Sequence, residues 1–228
     1  MIDRPMVSLA VAALTMLACS PGEPGSAFAK SASAKVEALP PGTVSPPGVM
    51  LRFVLAPSEQ AARYRVRERL VGHDLPNDAV GETKSVTGAI AFDSTGSIVR
   101  QESKFVVDAA TFVSDQNRRD GFVRGRLLDA RQYPSVVLVP SSVRGVALPL
   151  PTSGSRAIEM TGDLTVRGVT RPTTWKGTVN FKDGRVVGSA ATEFTFDDFQ
   201  IEQPRVPVLL SVADTIRLEI DFNLIPQR

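Results

Sequence analysis

The sequence predicts an all-β fold, an antiparallel up-and-down barrel of about eight strands with a short capping helix. Three observations lead there. Gly162–Phe196 reads as three strands joined by two-residue turns at Arg167-Gly168 and Asp183-Gly184, where glycine takes positive φ without steric cost. Those turns set a register that pairs Val166 with Val169, Asp163 with Pro172, Phe181 with Val186, Gly177 with Ala190 and Trp175 with Thr192. That register puts Leu164, Val166, Trp175, Val179, Phe181 and Val186 on one dry face, and Thr165, Thr170, Lys176 and Thr178 on a wet one. The third observation is that the other strands follow at hairpin or modest spacing. A continuous sheet of this size loses its edges by closing, and about eight strands leave room for one small ligand.

The composition narrows the function. With 228 residues and 43% hydrophobic side chains, the chain suits one domain plus appendages. A formal charge of +2 with both signs interspersed argues against nucleic acid. One Cys excludes an internal disulfide and a cysteine zinc cluster, and a single His argues against a histidine-based metal site or acid–base dyad.

At the N-terminus Arg4 precedes the apolar run Met6–Ala18, of export-signal length. Thr15–Cys19 resembles a bacterial lipobox, which implies cleavage before Cys19 and lipidation of its thiol. Two alternatives stay open: a simple signal peptide cut after Ala27–Ala29, or Cys19 as an incidental residue. The expected organisation is an export signal over 1–19, a disordered Pro/Ala/Ser-rich tether over 20–48 and a barrel domain over 49–228.

Within the domain, Leu51–Ala56 is the first strand, ended by Pro57-Ser58. Ala61–Val71 alternates: Tyr64, Val66, Glu68 and Leu70 share one face, and Arg63, Arg65, Arg67 and Arg69 the other. The basic row reads as a solvated face, with contact to anionic phospholipid as the alternative. Glu68 sits either at a strand end in water or as a polar contact inside a cavity. His73–Gly81 reads as a loop, and Glu82–Asp93 with Ser97–Asp108 as a hairpin turning at Thr95-Gly96. Ala109–Asp129 loses the alternation, and its Phe122, Val123 and Leu127 suit a short helix capping the sheet. Ser135–Val146 is a strand and Val146–Ser155 a loop. After Phe196 the chain is irregular, with a helical turn expected around Val208–Leu210, before the last strand, Thr215–Ile225.

GDLTVRGVTRPTTW resembles the signature hairpin of the YceI-like, polyisoprenoid-binding family. RRDGFVRGRLLDARQYP, Arg118–Pro134, resembles that family's second motif, an Arg-Asp pair opening a short helix and a Tyr-Pro before the next strand. The likeness runs from about Leu51 to Leu224. It implies a lipocalin-like barrel holding a long apolar chain, such as a polyisoprenoid, quinone or fatty amide, in an exported bacterial protein without catalysis. Two positions depart from the family pattern: FDDFQI puts Phe196 and Gln200 where Arg and Gly are common, and Glu68 stands where many members carry His.

The residues offer little chemistry to set against this. No G-x-S-x-G, P-loop, H-E-x-x-H or EF-hand pattern occurs. Asp197 and Asp198 are neighbours on a strand and face opposite ways unless the strand breaks there. We therefore expect no enzyme, no cofactor beyond a bound isoprenoid lipid or quinone, and no nucleic acid. The expected partners are an apolar lipid ligand and, through the N-terminal lipid anchor, a membrane; a homodimer stays open. The expected location is the periplasm or cell envelope, as an anchored lipoprotein.

Candidate lining residues are Tyr64, Glu68, Phe92, Phe105 and Phe122 from the first half, and Met160, Trp175, Phe194 and Phe196 from the central hairpins. Ile216 and Leu218 follow from the last strand. Gly177, Gly188 and Ala190 join them as small inward residues that leave space; alternatively, strand glycines mark bends that close the barrel. The competing function is a filled barrel serving as a structural or protein-interaction module at the envelope surface.

Overall fold

A computed structural model of the chain describes residues 48–72 and 74–227. The export signal, Cys19, the tether up to residue 47 and His73 lie outside the described residues. Ten antiparallel segments form one sheet: β1 (Leu51–Leu55), β2 (Ala61–Leu70), β3 (Asn77–Thr83), β4 (Val86–Phe92), β5 (Lys104–Asp108), β6 (Ser135–Arg144), β7 (Ser153–Val166), β8 (Val169–Lys182), β9 (Arg185–Thr195) and β10 (Leu209–Gln227). The order β1-β4-β5-β6-β7-β8-β9-β10 closes into a ring of eight because β1 also pairs with β10. β2 extends β1 along β10, and β3 pairs with β2.

The central hairpins keep the register that the turns dictate. Arg167, Gly168, Asp183 and Gly184 all have positive φ, which matches the right-handed twist of the flanking strands. Val166 pairs with Val169, Asp163 with Pro172, Phe181 with Val186 and Gly177 with Ala190. The β8–β9 ladder ends at Lys176–Ala191, one pair short of the expected Trp175–Thr192. Leu164, Val166, Trp175, Val179, Phe181 and Val186 are buried, while Thr170, Thr174, Lys176 and Thr178 are exposed.

Several boundaries differ from expectation. Glu82–Asp93, expected as one strand, is split at Lys84-Ser85 into the end of β3 and the whole of β4. Asn77–Gly81, expected as loop, is strand, because β2 supplies its ladder partners. Ser97–Asp108 is not one strand: after the Phe92–Ile98 bridge, the 3-10 turn Arg100–Glu102 intervenes before β5. The last strand starts at Leu209 rather than Thr215, held by β2, so no helical turn forms at Val208–Leu210. The turn after Phe196 lies instead at Asp197–Phe199, so the strand breaks under Asp197 and Asp198. Asp198 there accepts from Thr195 N–H at 2.7 Å and Thr195 Oγ1 at 2.9 Å. Those bonds hold its carboxyl below the ordinary carboxylate range.

The break between β3 and β4 positions the site. β4 continues the ring by pairing with β5, but β3 peels away. The segment after β5 fills that gap: Glu82 and Val113 exchange backbone bonds of 2.8 and 2.9 Å, and the Thr83 and Thr111 hydroxyls meet at 2.6 Å. It continues as the helix α1 (Asn117–Phe122) and a wider π-helical turn, Val123–Leu127. This is the capping helix. Buried Asp120 accepts from Ser114 N–H at 2.8 Å and from Ser114 Oγ at 2.6 Å, which fixes the chain's entry into it.

Candidate ligand-binding cavity

Two cavities occupy the barrel interior. The larger has a volume of about 690 Å³ and lies under α1 and the Pro204–Leu209 segment; the smaller, about 90 Å³, lies under β1 and β4. The period of two on β2 delivers Ala62, Tyr64, Val66, Glu68 and Leu70 to the large cavity. Three of the four alternate arginines are taken up by acidic neighbours on β3 and β10. Arg63 meets Glu82 at 2.6 Å and Asp221 at 2.5 Å, while Arg65 and Arg67 share Asp78 at 3.2 and 3.0 Å.

Most of the large cavity's wall is apolar; a polar station stands on one side. Glu68 is buried, and its Oε1 accepts from Arg119 at 2.7 Å and from Asn77 Nδ2 at 3.4 Å. Arg119 also pairs with Asp115. Of the two readings of Glu68, the structure therefore places it inside, with its charge matched. Tyr64 stands four residues earlier on the same face, its ring tilted against Phe112 at 5.6 Å and lying over Gly81. Burial pushes its hydroxyl up to about 12; the carboxylates of Asp120, Glu68 and Asp115 add to this and Arg119 opposes it. The mouth is marked by side chains that line the cavity and also face solvent. Val71 and Val208, each 56% exposed, lie on one side, joined by a 3.0 Å backbone bond from Val71 N–H to Val208 O. Gln116 and exposed Arg118 lie with them along the rim, and Arg118 has no ion-pair partner among the described residues.

Twelve of the fourteen expected lining residues divide between the two ends. Tyr64, Glu68, Phe105, Phe122, Trp175, Phe194, Phe196, Ile216 and Leu218 line the large cavity. Phe92, Met160 and Ala190 line the small one, as Phe105 also does. Gly177 and Gly188 line neither, and the reading that they leave space is corrected. A side chain on Gly177 would run into the Ser189 carbonyl and Ala190, and one on Gly188 into the Thr178 carbonyl. These glycines serve close approach of neighbouring strands. Trp175 is buried at 5% exposure, with its indole N–H donating to Thr173 Oγ1 at 3.0 Å.

The sequence reading missed Ala62, Ala79, Phe112, Ile201 and the Pro204–Leu209 segment, all of which line the large cavity. The last had a usable signal. Val206, Val208 and Leu209 form an apolar run without strand alternation, unusual for a loop in water. Phe196 fills the cavity wall where the family pattern has Arg. Gln200 adopts φ 54 and ψ 39, the left-handed conformation that explains a common Gly there. Among the described residues, no group of three or more His, Cys, Asp or Glu is placed to hold a metal ion.

Comparison with known proteins agrees with this architecture. The family model described as the YceI-like domain matches residues 53–224. A UPF0312 protein of Pseudomonas putida (strain F1) is 31% identical over 157 residues, 65% of this chain and 74% of the relative. The structure of a polyisoprenoid binding domain from Saccharophagus degradans, implicated in plant cell wall breakdown, superposes with a TM-score of 0.58. It is 11% identical, and the match covers 77% of this chain and 98% of that one. BcnA of Burkholderia cenocepacia gives a TM-score of 0.53 at 17% identity, over 72% of this chain and 95% of that one.

Proposed function

The chain belongs to the YceI-like domain family, and from that premise we propose that it is an exported, non-catalytic lipid carrier. It takes the tail of one polyisoprenoid, quinone or fatty amide into the open end of its barrel. The observation that carries this reading is the 690 Å³ cavity itself, inside the range of pockets that hold one small molecule. Counting each CH₂ as about the size of a water in the liquid, ~30 Å³, it accepts roughly twenty atoms of tail. The polyisoprenoid-binding description of the Saccharophagus degradans domain supports the ligand class.

The tail enters past Val208 and Val71, the polar head stays at the rim with Gln116 and Arg118, and the Glu68–Arg119 pair lies just inside. Each buried CH₂ contributes about 0.8 kcal/mol. Ten of them give a gross ~8 kcal/mol before the cost of association. Binding driven this way has a negative heat-capacity change and little salt dependence. Native mass spectrometry of the purified protein before and after lipid extraction tests the reading. It expects a single lipid mass that extraction removes and re-addition restores. A ligand-free protein that takes up no lipid favours the filled-barrel module instead.

The same proposal places the protein at a membrane through lipidated Cys19. Cys19→Ser then moves it from the membrane to the soluble exported fraction. Retention of the variant on membranes, or a wild type already soluble, removes the anchor from the proposal.

A further inference from the structure

The two cavities are stacked along the barrel axis. On β7 the large one is lined by Leu164 and the small one by Met160 and Ile158. On β8 the division falls between Trp175 and Val179, and on β10 between Leu218 and Phe222. Three side chains line both: Phe105, Leu138 and Ile220. Phe105 and Leu138 are cross-strand partners, and Ile220 comes from β10, three places round the ring from β5. Beside Ile220, Ala62 lines the large cavity and Ala190 the small one. Phe105 is 9% exposed, and its ring lies against the backbone of Gly88, its ladder partner, where a Cβ would collide with it.

We infer that Phe105, backed by Leu138 and Ile220, is the stop that sets the longest tail the barrel accepts. This rests on the carrier reading and adds a chain-length limit to it. The space beyond the stop is lined entirely by apolar side chains, so an alkyl or prenyl tail would extend into it once the stop is cut back. The stop is a positioning feature of the wall: it meets the tail end and selects by length.

The test uses the full-length protein and a homologous series of straight-chain fatty amides as probes. It reads Trp175 fluorescence, and the mass of the complex, against tail length. Wild type is expected to gain affinity with each added carbon until the cavity is full, then to stop gaining. Phe105→Ala removes six ring carbons and opens the ~90 Å³ beyond, together about nine atoms of tail, so the break point moves to longer amides by about that amount. Adding Ala190→Ile, whose three extra carbons fill the small void, moves it part of the way back. Phe105→Leu is the second variant, with a smaller shift in the same direction, should the alanine not fold. An unchanged break point in a folded Phe105 variant overturns the stop and leaves the carrier reading intact. Wild type binding no amide of any length overturns both.

Discussion

The two ends of the lumen share strands but differ in how they are finished. At the end bounded by β1 and β4, the sheet closes fully: Phe53, Ile90, Val179 and Phe181 meet across it and leave about 90 Å³. At the end bounded by β2, β3 and α1, the wall is interrupted where β3 peels away from β4, and about 690 Å³ stays open. Inward side chains are no smaller at the open end, where Tyr64, Phe112, Trp175, Phe194 and Phe196 all line the wall. Room for a ligand therefore comes from spreading the wall with a helical segment, and not from thinning the side chains. The glycines show the same thing from the other side, because Gly177 and Gly188 let strands approach and leave no space.

This contrast predicts opposite responses to mutation, and the largest lies in the closed end. Phe181→Ala should cost about 3–5 kcal/mol in chemical denaturation and leave lipid uptake unchanged. Phe122→Ala, in the half-buried cap, should cost below about 1.5 kcal/mol yet weaken lipid binding. Reversal of that pattern would mean the two ends have been confused.

Next in size is the Asp183-Gly184 turn. Gly184 has φ 75 and open space around it, so Gly184→Val is expensive for conformational reasons alone, on the order of 1–3 kcal/mol. Thr178→Val on the wet face should stay within about 0.5 kcal/mol. Equal losses would undo the face assignment.

Glu68→Ala leaves the Arg119 guanidinium with only Asp115, and should cost ~1–3 kcal/mol. Arg119→Ala combined with it should cost less than the sum of the single changes, measured as a double-mutant cycle. Gln200→Gly relieves a left-handed φ and should stabilise by about 0.5–1 kcal/mol.

The mildest effect is on pH. Burial raises the folded-state pKa of Tyr64 to about 12 from 10, so the fold favours the neutral phenol. That contribution is complete below the unfolded value and is lost as pH rises from 10 through about 12. Ultraviolet titration should show one late phenolate that Tyr64→Phe removes.

The sequence revealed what is local and periodic. Two turns with paired positive-φ residues fixed the β7–β8–β9 register, and alternation on β2 separated Arg65, Arg67 and Arg69 from its lining residues. It hid what depends on closure. Whether Ala190 faces a cavity or a packed wall is decided by Phe53 and Ile90, more than ninety positions earlier in the chain. Glu68 gave two readings because Arg119, its partner across 51 positions, comes from the capping helix. The end of the strand at Phe196 was legible, but the helical turn was expected at Val208–Leu210 and lies at Asp197–Phe199, because β2 pairs with Leu209 and draws that segment into β10.

The most direct test places one bulky residue at each end. Ala79 lines the large cavity and Ala190 the small one, and both are buried. Ala79→Phe should fill the open end and abolish lipid-induced change in Trp175 emission while the domain stays folded. Ala190→Phe should overpack the closed end, costing about 1–3 kcal/mol, and leave that change intact. If Ala190→Phe alone abolishes the response, or if wild-type Trp175 emission responds to no lipid, the open end is not a binding cavity.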